Sequence, residues 1–166
     1  AADGYPGVPA KGGSIKGDAK LVGEVRKAVG PEIDLMLDMG FPVPLDDAMK
    51  LGRMLAEHEV FFLEEPLAPD DLPGWAKLTA VSPTPIATGE KETGFRPYAN
   101  LIDHGGLRII QPDVARTGGI SETLRIANYA EARSVRVIPH CWSCDVLVAA
   151  TLHVIAQLKE CPYLEF

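Results

Sequence analysis

Six apolar runs in this sequence end on an acid or an imidazole. Residues 34–38 end on Asp38, 60–66 on Glu64 and Glu65, 85–90 on Glu90, 107–113 on Asp113, 135–140 on His140, and 163–165 on Glu165. Carboxylates and imidazole are the side chains that ligate hard cations and move protons near neutral pH. Asp38, Glu64 and Glu90 close three successive runs. Brought into a water-poor mouth, three carboxylates repel one another unless a cation lies among them. An all-oxygen set with room for water selects Mg²⁺ over zinc, which prefers nitrogen and sulfur. The alternative is that each acid is solvated in a loop or pairs with a nearby Lys or Arg.

His140 follows Pro139, and Asp113 follows Pro112. If their runs are adjacent parallel strands, about 4.8 Å apart, the two side chains meet. A carboxylate on one ring nitrogen fixes the tautomer and raises the basicity of the other, which makes a general base. The alternative is a structural His140 with Asp113 capping the Gly118-Gly119 turn. His58, His104 and His153 fall at a helix end, in a loop and in a helix, and are given no role.

The elements that must position these groups alternate in type. The short β-rich runs read as strands buried on both faces. Between them, Leu21, Val22, Val25, Ala28 and Val29 recur at helical spacing from Asp18 to the Gly30-Pro31 stop, and Pro44-Leu45-Asp46-Asp47 caps a second helix. Further helices are predicted over residues 70–81, residues 96–103, from the Gly118-Gly119-Ile120-Ser121 opening, and from Asp145. Residues 161–166 read as a last strand. Residues 1–17 read as a loop and 18–166 as βα repeats of roughly 25 residues, one domain over 1–166. Such alternation requires a parallel sheet covered by helices, an α/β fold. In an open doubly wound sheet ligands gather at a switch point, whereas in a (β/α) TIM-type barrel the strand ends ring one mouth. A functional group at every strand end favours the barrel, here partial, with about six of its eight strands.

The formal net charge of −7 argues against a nucleic-acid partner, which clustered Lys and Arg would hold. No apolar run approaches the ~18 residues of a membrane span. Three cysteines do not make a secreted disulfide framework, and a cytoplasmic location with reduced thiols is expected. Cys141-Trp142-Ser143-Cys144 is a Cys-x-x-Cys between a strand and a helix, where a thioredoxin-like redox pair would have its first thiol activated by the helix N-terminus. A zinc site from His140, Cys141 and Cys144 is a second use of the same residues.

Jointly, Asp38 after an apolar strand, Phe62-Leu63-Glu64-Glu65-Pro66, Ile86-Ala87-Thr88-Gly89-Glu90, Gln111-Pro112-Asp113 with Gly118-Gly119-Ile120, Pro139-His140 and Leu164-Glu165 carry a resemblance. The chain resembles the C-terminal barrel domain of the enolase superfamily, in its mandelate racemase-like branch, from Asp34 onward. The resemblance implies a modified (β/α)7β barrel in which Asp38, Glu64 and Glu90 bind Mg²⁺. It also implies that His140 and Asp113 form a base dyad and that Glu165 helps hold the substrate carboxylate or its enolate. The implied step is abstraction of the proton α to a carboxylate. Lys91, Arg116 and Trp142 are substrate-binding candidates by position.

Two departures from that pattern matter. Gly40 stands where the family has an Asn two residues after the first metal ligand. No counterpart is visible of the α+β capping domain and first two barrel strands, the second of which normally carries a Lys or other base; Lys11 and Lys16 lie in or beside a loop. Racemisation needs bases on both faces, whereas one histidine can both take an α-proton and protonate a departing β-hydroxyl. An acid-sugar dehydratase is therefore expected, with a racemase or epimerase, or a catalytically incomplete barrel fragment, as alternatives. Open edges beside the strands of Asp38 and Glu165 predict a homo-oligomer or a second chain closing the barrel.

Overall fold

Helix α1 (Ile15–Val29) starts where Ser14 sets its side-chain oxygen 3.1 Å from the Gly17 N–H, satisfying one of the donors that a helix start leaves open. The structure, a computed structural model, describes the backbone of residues 7–9 and all of residues 14–166. The helix thus begins three residues before the predicted Asp18, because the Ser14 cap outweighs the weak helix propensity of Gly17. Residues 1–6 and 10–13 of the predicted loop lie outside the described residues. Within that loop, β1 (Gly7–Pro9) pairs in parallel with β2 (Leu35–Asp38), Pro9 opposite Asp38. The edge of the Asp38 strand, expected to be open, therefore carries a partner. Three residues with one strand-former, Val8, between a glycine and a proline are too few to show alternation, so only the pairing reveals this strand.

Strand β3 (Val60–Glu64) pairs in parallel with β2, and the register ends with Asp38 opposite Glu64. Between them runs α2 (Leu45–Ala56), whose N-cap Pro44 makes no side-chain bond. Asp46 and Asp47 instead lie in its first turn, where negative charge suits the helix dipole. Helix α3 (Leu72–Val81) is capped by Asp71, which accepts the Gly74 N–H at 2.9 Å. Leu35, Leu37, Phe62 and Leu63 of the strands are buried with Leu51, Leu55, Trp75 and Leu78 of the helices. Both faces of the strands are covered, and this is why the runs are continuous rather than alternating. At the opposite end of these strands from the acids, Arg26 donates to the carbonyls of His58, Gly30, Ile33 and Glu59, tying α1 to the turn before β3.

These elements belong to the first of two compact units, Ala1–Ile86. The second, Ala87–Phe166, takes over within β4 (Ile86–Thr88) and continues with α4 (Phe95–Asp103), β5 (Ile109–Ile110), α5 (Val114–Thr117), α6 (Ile120–Glu131), β6 (Arg136–Val137) and α7 (Asp145–Ile155). β4 pairs in parallel with β5, and β5 with β6. Tyr98, Ile110, Ile126, Ile138 and Val154 are buried in its core. One prediction holds and two are corrected. The Gly118-Gly119 turn opens α6 as expected, with Gly119 at its N-cap, and a further single-turn helix, α5, lies between Asp113 and that turn. The strands stop short of their acids: β5 ends at Ile110 and β6 at Val137. The last strand, predicted over 161–166, is reduced to one parallel bridge, His140 with Glu165, beside a similar bridge of Asp113 with His140. Pro112 and Pro139 cause this, since proline has no N–H to give a ladder. Their carbonyls still accept, from the His140 N–H at 3.3 Å and the Glu165 N–H at 3.2 Å. Among the described residues no helix is long and apolar enough to cross a membrane.

Candidate active site

In the first unit, Asp38 and Glu64 stand at paired positions on the C-terminal ends of β2 and β3. Asp38 turns one carboxylate oxygen back to the Gly40 N–H at 2.8 Å. That turn holds Gly40 at φ +65°, a left-handed conformation which favours the glycine standing there over a side chain. Glu64 and Glu65 are both buried, and Glu65 also has a left-handed backbone, φ +47°. Consecutive residues along a strand face opposite ways; the twist at Glu65 ends that alternation just after Glu64.

In the second unit, the approach to Glu90 is built by Gly89. Its φ is +126°, and a Cβ there would meet Tyr98 Cε1 at 2.9 Å and the Gln111 amide nitrogen at 3.3 Å. The Gly89 carbonyl accepts from the Tyr98 hydroxyl at 2.7 Å and from the Glu92 N–H at 3.1 Å, which closes the turn that carries Glu90. Downstream, the Glu122 carboxylate takes the Phe95 N–H at 3.0 Å and fixes the start of α4.

Both oxygens of Glu90 face nitrogen. Oε1 is 3.4 Å from Lys91 Nζ and Oε2 is 3.2 Å from His140 Nε2, while Arg116 Nη1 donates to the Glu90 main-chain oxygen at 3.1 Å. The other ring nitrogen of His140, Nδ1, is 2.8 Å from Asp113 Oδ2, and both partners are buried. Asp113 divides its work. Oδ1 accepts the N–H groups of Ala115 at 2.8 Å and Arg116 at 3.3 Å, capping α5, while Oδ2 takes the imidazole. The two sequence alternatives for Asp113, helix cap and histidine partner, are therefore both present in one carboxylate, although the turn it caps is α5 rather than Gly118-Gly119. With Nδ1–H given to Asp113, Nε2 is the nitrogen left to exchange a proton.

Glu165 completes the group. Ligand atoms of Glu90, His140 and Glu165 all lie within 4.8 Å of one another. Gln111, wholly buried, donates from Nε2 to Glu165 Oε2 at 3.0 Å. In the sequence Gln111 stands in the Gln111-Pro112-Asp113 motif with no role assigned to it. The signal available was a polar residue inside an apolar run, one position before a proline.

Trp142 is 74% exposed and does not pack in the core. The Cys-x-x-Cys motif is inverted relative to the redox expectation. Burial pushes the first thiol, Cys141, up, whereas the exposed Cys144, at the N-cap of α7, is lowered by the Leu147 N–H and then by Ser143. Neither cysteine belongs to the Glu90, His140, Glu165 cluster, found among the described residues.

Residues 1–166, the whole chain, match the family described as Enolase C-terminal domain-like. The chain belongs to that family. As a member of the enolase C-terminal domain-like family it is 33% identical over 151 residues to D-galactarolactone cycloisomerase of Agrobacterium fabrum, covering 91% of this chain and 40% of that one. It is 37% identical over 133 residues to D-galactonate dehydratase of Ralstonia nicotianae, covering 80% and 35%. A racemase from Streptomyces coelicolor A3(2), solved with bound magnesium, superposes with a TM-score of 0.89 at 28% identity, covering 96% of this chain and 46% of that one. The chain spans less than half the length of these relatives. Its parallel βα organisation is that of the partial (β/α) barrel expected from the sequence.

Proposed function

We propose that the chain carries the acid–base and metal-binding residues of an enzyme that removes the proton α to the carboxylate of an acid sugar and eliminates the β-hydroxyl as water. The observation that carries this reading is His140, buried, with Nδ1 on Asp113 and Nε2 turned to Glu90 and Glu165. In this reading Nε2 takes the α-proton. Asp113 holds Nδ1–H and stabilises the imidazolium that forms. The same Nε2–H then returns a proton to the departing β-hydroxyl, so one imidazole serves both transfers and the substrate loses H from one carbon and OH from the next. Glu165, oriented by Gln111, positions the substrate carboxylate, with Lys91, Arg116 and Trp142 as further substrate contacts.

Asp38, Glu64 and Glu90 are the proposed Mg²⁺ ligands. The donors fit a hard cation: all are carboxylate oxygens, and at Glu90 the Lys91 ammonium already stands where positive charge is wanted. When bound, Mg²⁺ supplies Lewis-acid stabilisation of the negative charge that develops on the substrate carboxylate. The names of the relatives, a D-galactonate dehydratase and a D-galactarolactone cycloisomerase, support an acid-sugar substrate for this chain.

The test is exchange of the α-proton of aldonates and aldarates in D₂O with Mg²⁺, followed by proton NMR. His140→Asn should slow exchange about 10²- to 10⁴-fold, the usual worth of a positioned base. Exchange at the wild-type rate in that variant removes His140 from the mechanism.

A further inference from the structure

We infer that Glu90, His140 and Glu165 form a cation site of their own, which takes a borderline divalent ion, Zn²⁺ or Co²⁺, in preference to Mg²⁺ and blocks the base when filled. The binding rests on the geometry of the three side chains; only its consequence, loss of the base, rests on the reading of His140 in the proposed reaction. With Nδ1–H given to Asp113 at 2.8 Å, Nε2 presents a lone pair, and it faces Glu90 Oε2 at 3.2 Å. Ligand atoms of all three residues lie within 4.8 Å of one another. Three acceptors converging on one point need a positive charge among them. Zn–N and Zn–O bonds of about 2.0–2.1 Å set tetrahedral neighbours about 3.3–3.4 Å apart. The edge from Nε2 to Oε2 thus has nearly the length a metal would give it, and Glu165 has at most about 1.5 Å to close.

The imidazole decides which ion is taken. Asp38, Glu64 and Glu90 offer oxygen alone, the set that suits Mg²⁺, whereas one nitrogen beside two carboxylates suits zinc and the late first-row metals. The outer partners are those of a metal-bound histidine: a carboxylate on the far ring nitrogen, here Asp113, fixes the tautomer and strengthens the donor. Gln111, wholly buried, holds Glu165 in a similar way, with Nε2 3.0 Å from Oε2. The charges facing the site favour a cation. Lys91 Nζ lies 3.4 Å from Glu90 Oε1 and Arg116 Nη1 donates to the Glu90 main-chain oxygen, against the carboxylates of Glu90, Glu165 and Asp113. All of these groups belong to the unit Ala87–Phe166, so the site requires neither Asp38 nor Glu64. A metal on Nε2 occupies the lone pair that would take the α-proton.

The experiment titrates the full chain with Co²⁺, reading its visible d–d absorption, and with Zn²⁺, reading the ¹⁵N shifts of the His140 ring. The wild type should develop a Co²⁺ band that Zn²⁺ removes and an equal concentration of Mg²⁺ does not, and Zn²⁺ should shift Nε2. Asp38→Asn and Glu64→Gln should bind Co²⁺ like the wild type. Asp113→Asn should weaken it about 10- to 100-fold, the usual worth of a ligand's outer partner, and His140→Asn should lose the band. Since a change at buried His140 can disturb folding, Glu165→Gln, at a part-exposed position, is measured beside it and should also weaken Co²⁺. A Co²⁺ band that survives both His140→Asn and Glu165→Gln, an Nε2 resonance indifferent to Zn²⁺, or displacement of Co²⁺ by equal Mg²⁺ would overturn the proposal. A thiolate–cobalt band that Cys144→Ser removes would overturn it too, by placing the ion on the cysteines. α-Proton exchange in D₂O keeps the two readings apart. If His140→Asn abolishes exchange but binds Co²⁺ like the wild type, the metal site falls and the base stands. If it loses Co²⁺ but exchanges like the wild type, the site stands and the base falls, with the blocking assigned to it.

Discussion

Asp113→Asn tests the proposed dyad most sharply, because the carboxylate performs two jobs with two oxygens and an amide has only one. Oδ1 accepts from the N–H groups of Ala115 and Arg116, and Oδ2 accepts from His140 Nδ1 at 2.8 Å. An asparagine that keeps its oxygen on the α5 amides must turn its NH₂ to the imidazole. Nδ1 then becomes the acceptor, Nε2 carries the proton, and the base is lost, for about 10²- to 10⁴-fold in exchange rate. The opposite rotamer keeps the tautomer but sets NH₂ against two N–H donors. It forfeits the cap, about 0.5–2 kcal/mol, and leaves buried donors unmatched at about 1–3 kcal/mol. It also replaces a charged acceptor by a neutral one. If the charge-assisted bond, worth about 1.5–3 kcal/mol, is the part lost, the rate falls roughly 10- to 150-fold at about 1.36 kcal/mol per tenfold. Thermal melting, α-proton exchange in D₂O and the ¹⁵N shifts of the His140 ring distinguish the branches. Either melting is preserved with the Nε2–H tautomer and a large rate loss, or stability drops with the tautomer kept and a smaller loss. A variant with wild-type melting, ring shifts and exchange would refute the dual role of Asp113.

Gly89→Ala should lower stability by about 1–3 kcal/mol in urea unfolding, since its φ of +126° disfavours any side chain and the added Cβ meets the Tyr98 ring at 2.9 Å. Cys144 should react with iodoacetamide faster than Cys141 or Cys161 at neutral pH. Its lowered pKa places thiolate formation below the ordinary thiol range, so its rate should level off at a lower pH than theirs, which burial pushes up. Mass-mapped alkylation across pH checks the order, and equal rates at the three sites would contradict it.

The fold class was legible because both faces of the strands are buried and each run stops at a polar group; Leu35, Leu37, Phe62 and Leu63 all lie in the core their pattern predicts. The partnership of Asp113 with His140 was legible for the same reason, since parallel neighbours align equivalent ends. What escaped the sequence was everything whose cause is pairing or a single contact. β1 is three residues long with a single strand-former, Val8, between a glycine and a proline, and the start of α1 hangs on one Ser14 oxygen. Gln111 shows its importance only through a hydrogen bond to a residue 54 positions away. Which thiol of the pair is lowered depends on the Leu147 N–H and Ser143 beside Cys144 and on the burial that raises Cys141. A motif fixes spacing and leaves burial open.

The prolines explain how the site can hold chemistry at the end of so little regular strand. β5 and β6 have two residues each, yet Asp113, His140 and Glu165 remain in lateral register through isolated parallel bridges. Pro112 and Pro139 withhold an N–H but offer a carbonyl to the residue after the next proline or at the next run's end. These two carbonyls link the ends of the runs, Pro112 to His140 and then Pro139 to Glu165. A full ladder would continue the pleat and send successive side chains to opposite faces. Isolated bridges keep the backbones adjacent without extending the ladder beyond that point, and Asp113 turns directly into α5. The strand supplies the spacing and the proline ends its hold on direction, which is what lets one carboxylate cap a helix and orient an imidazole together.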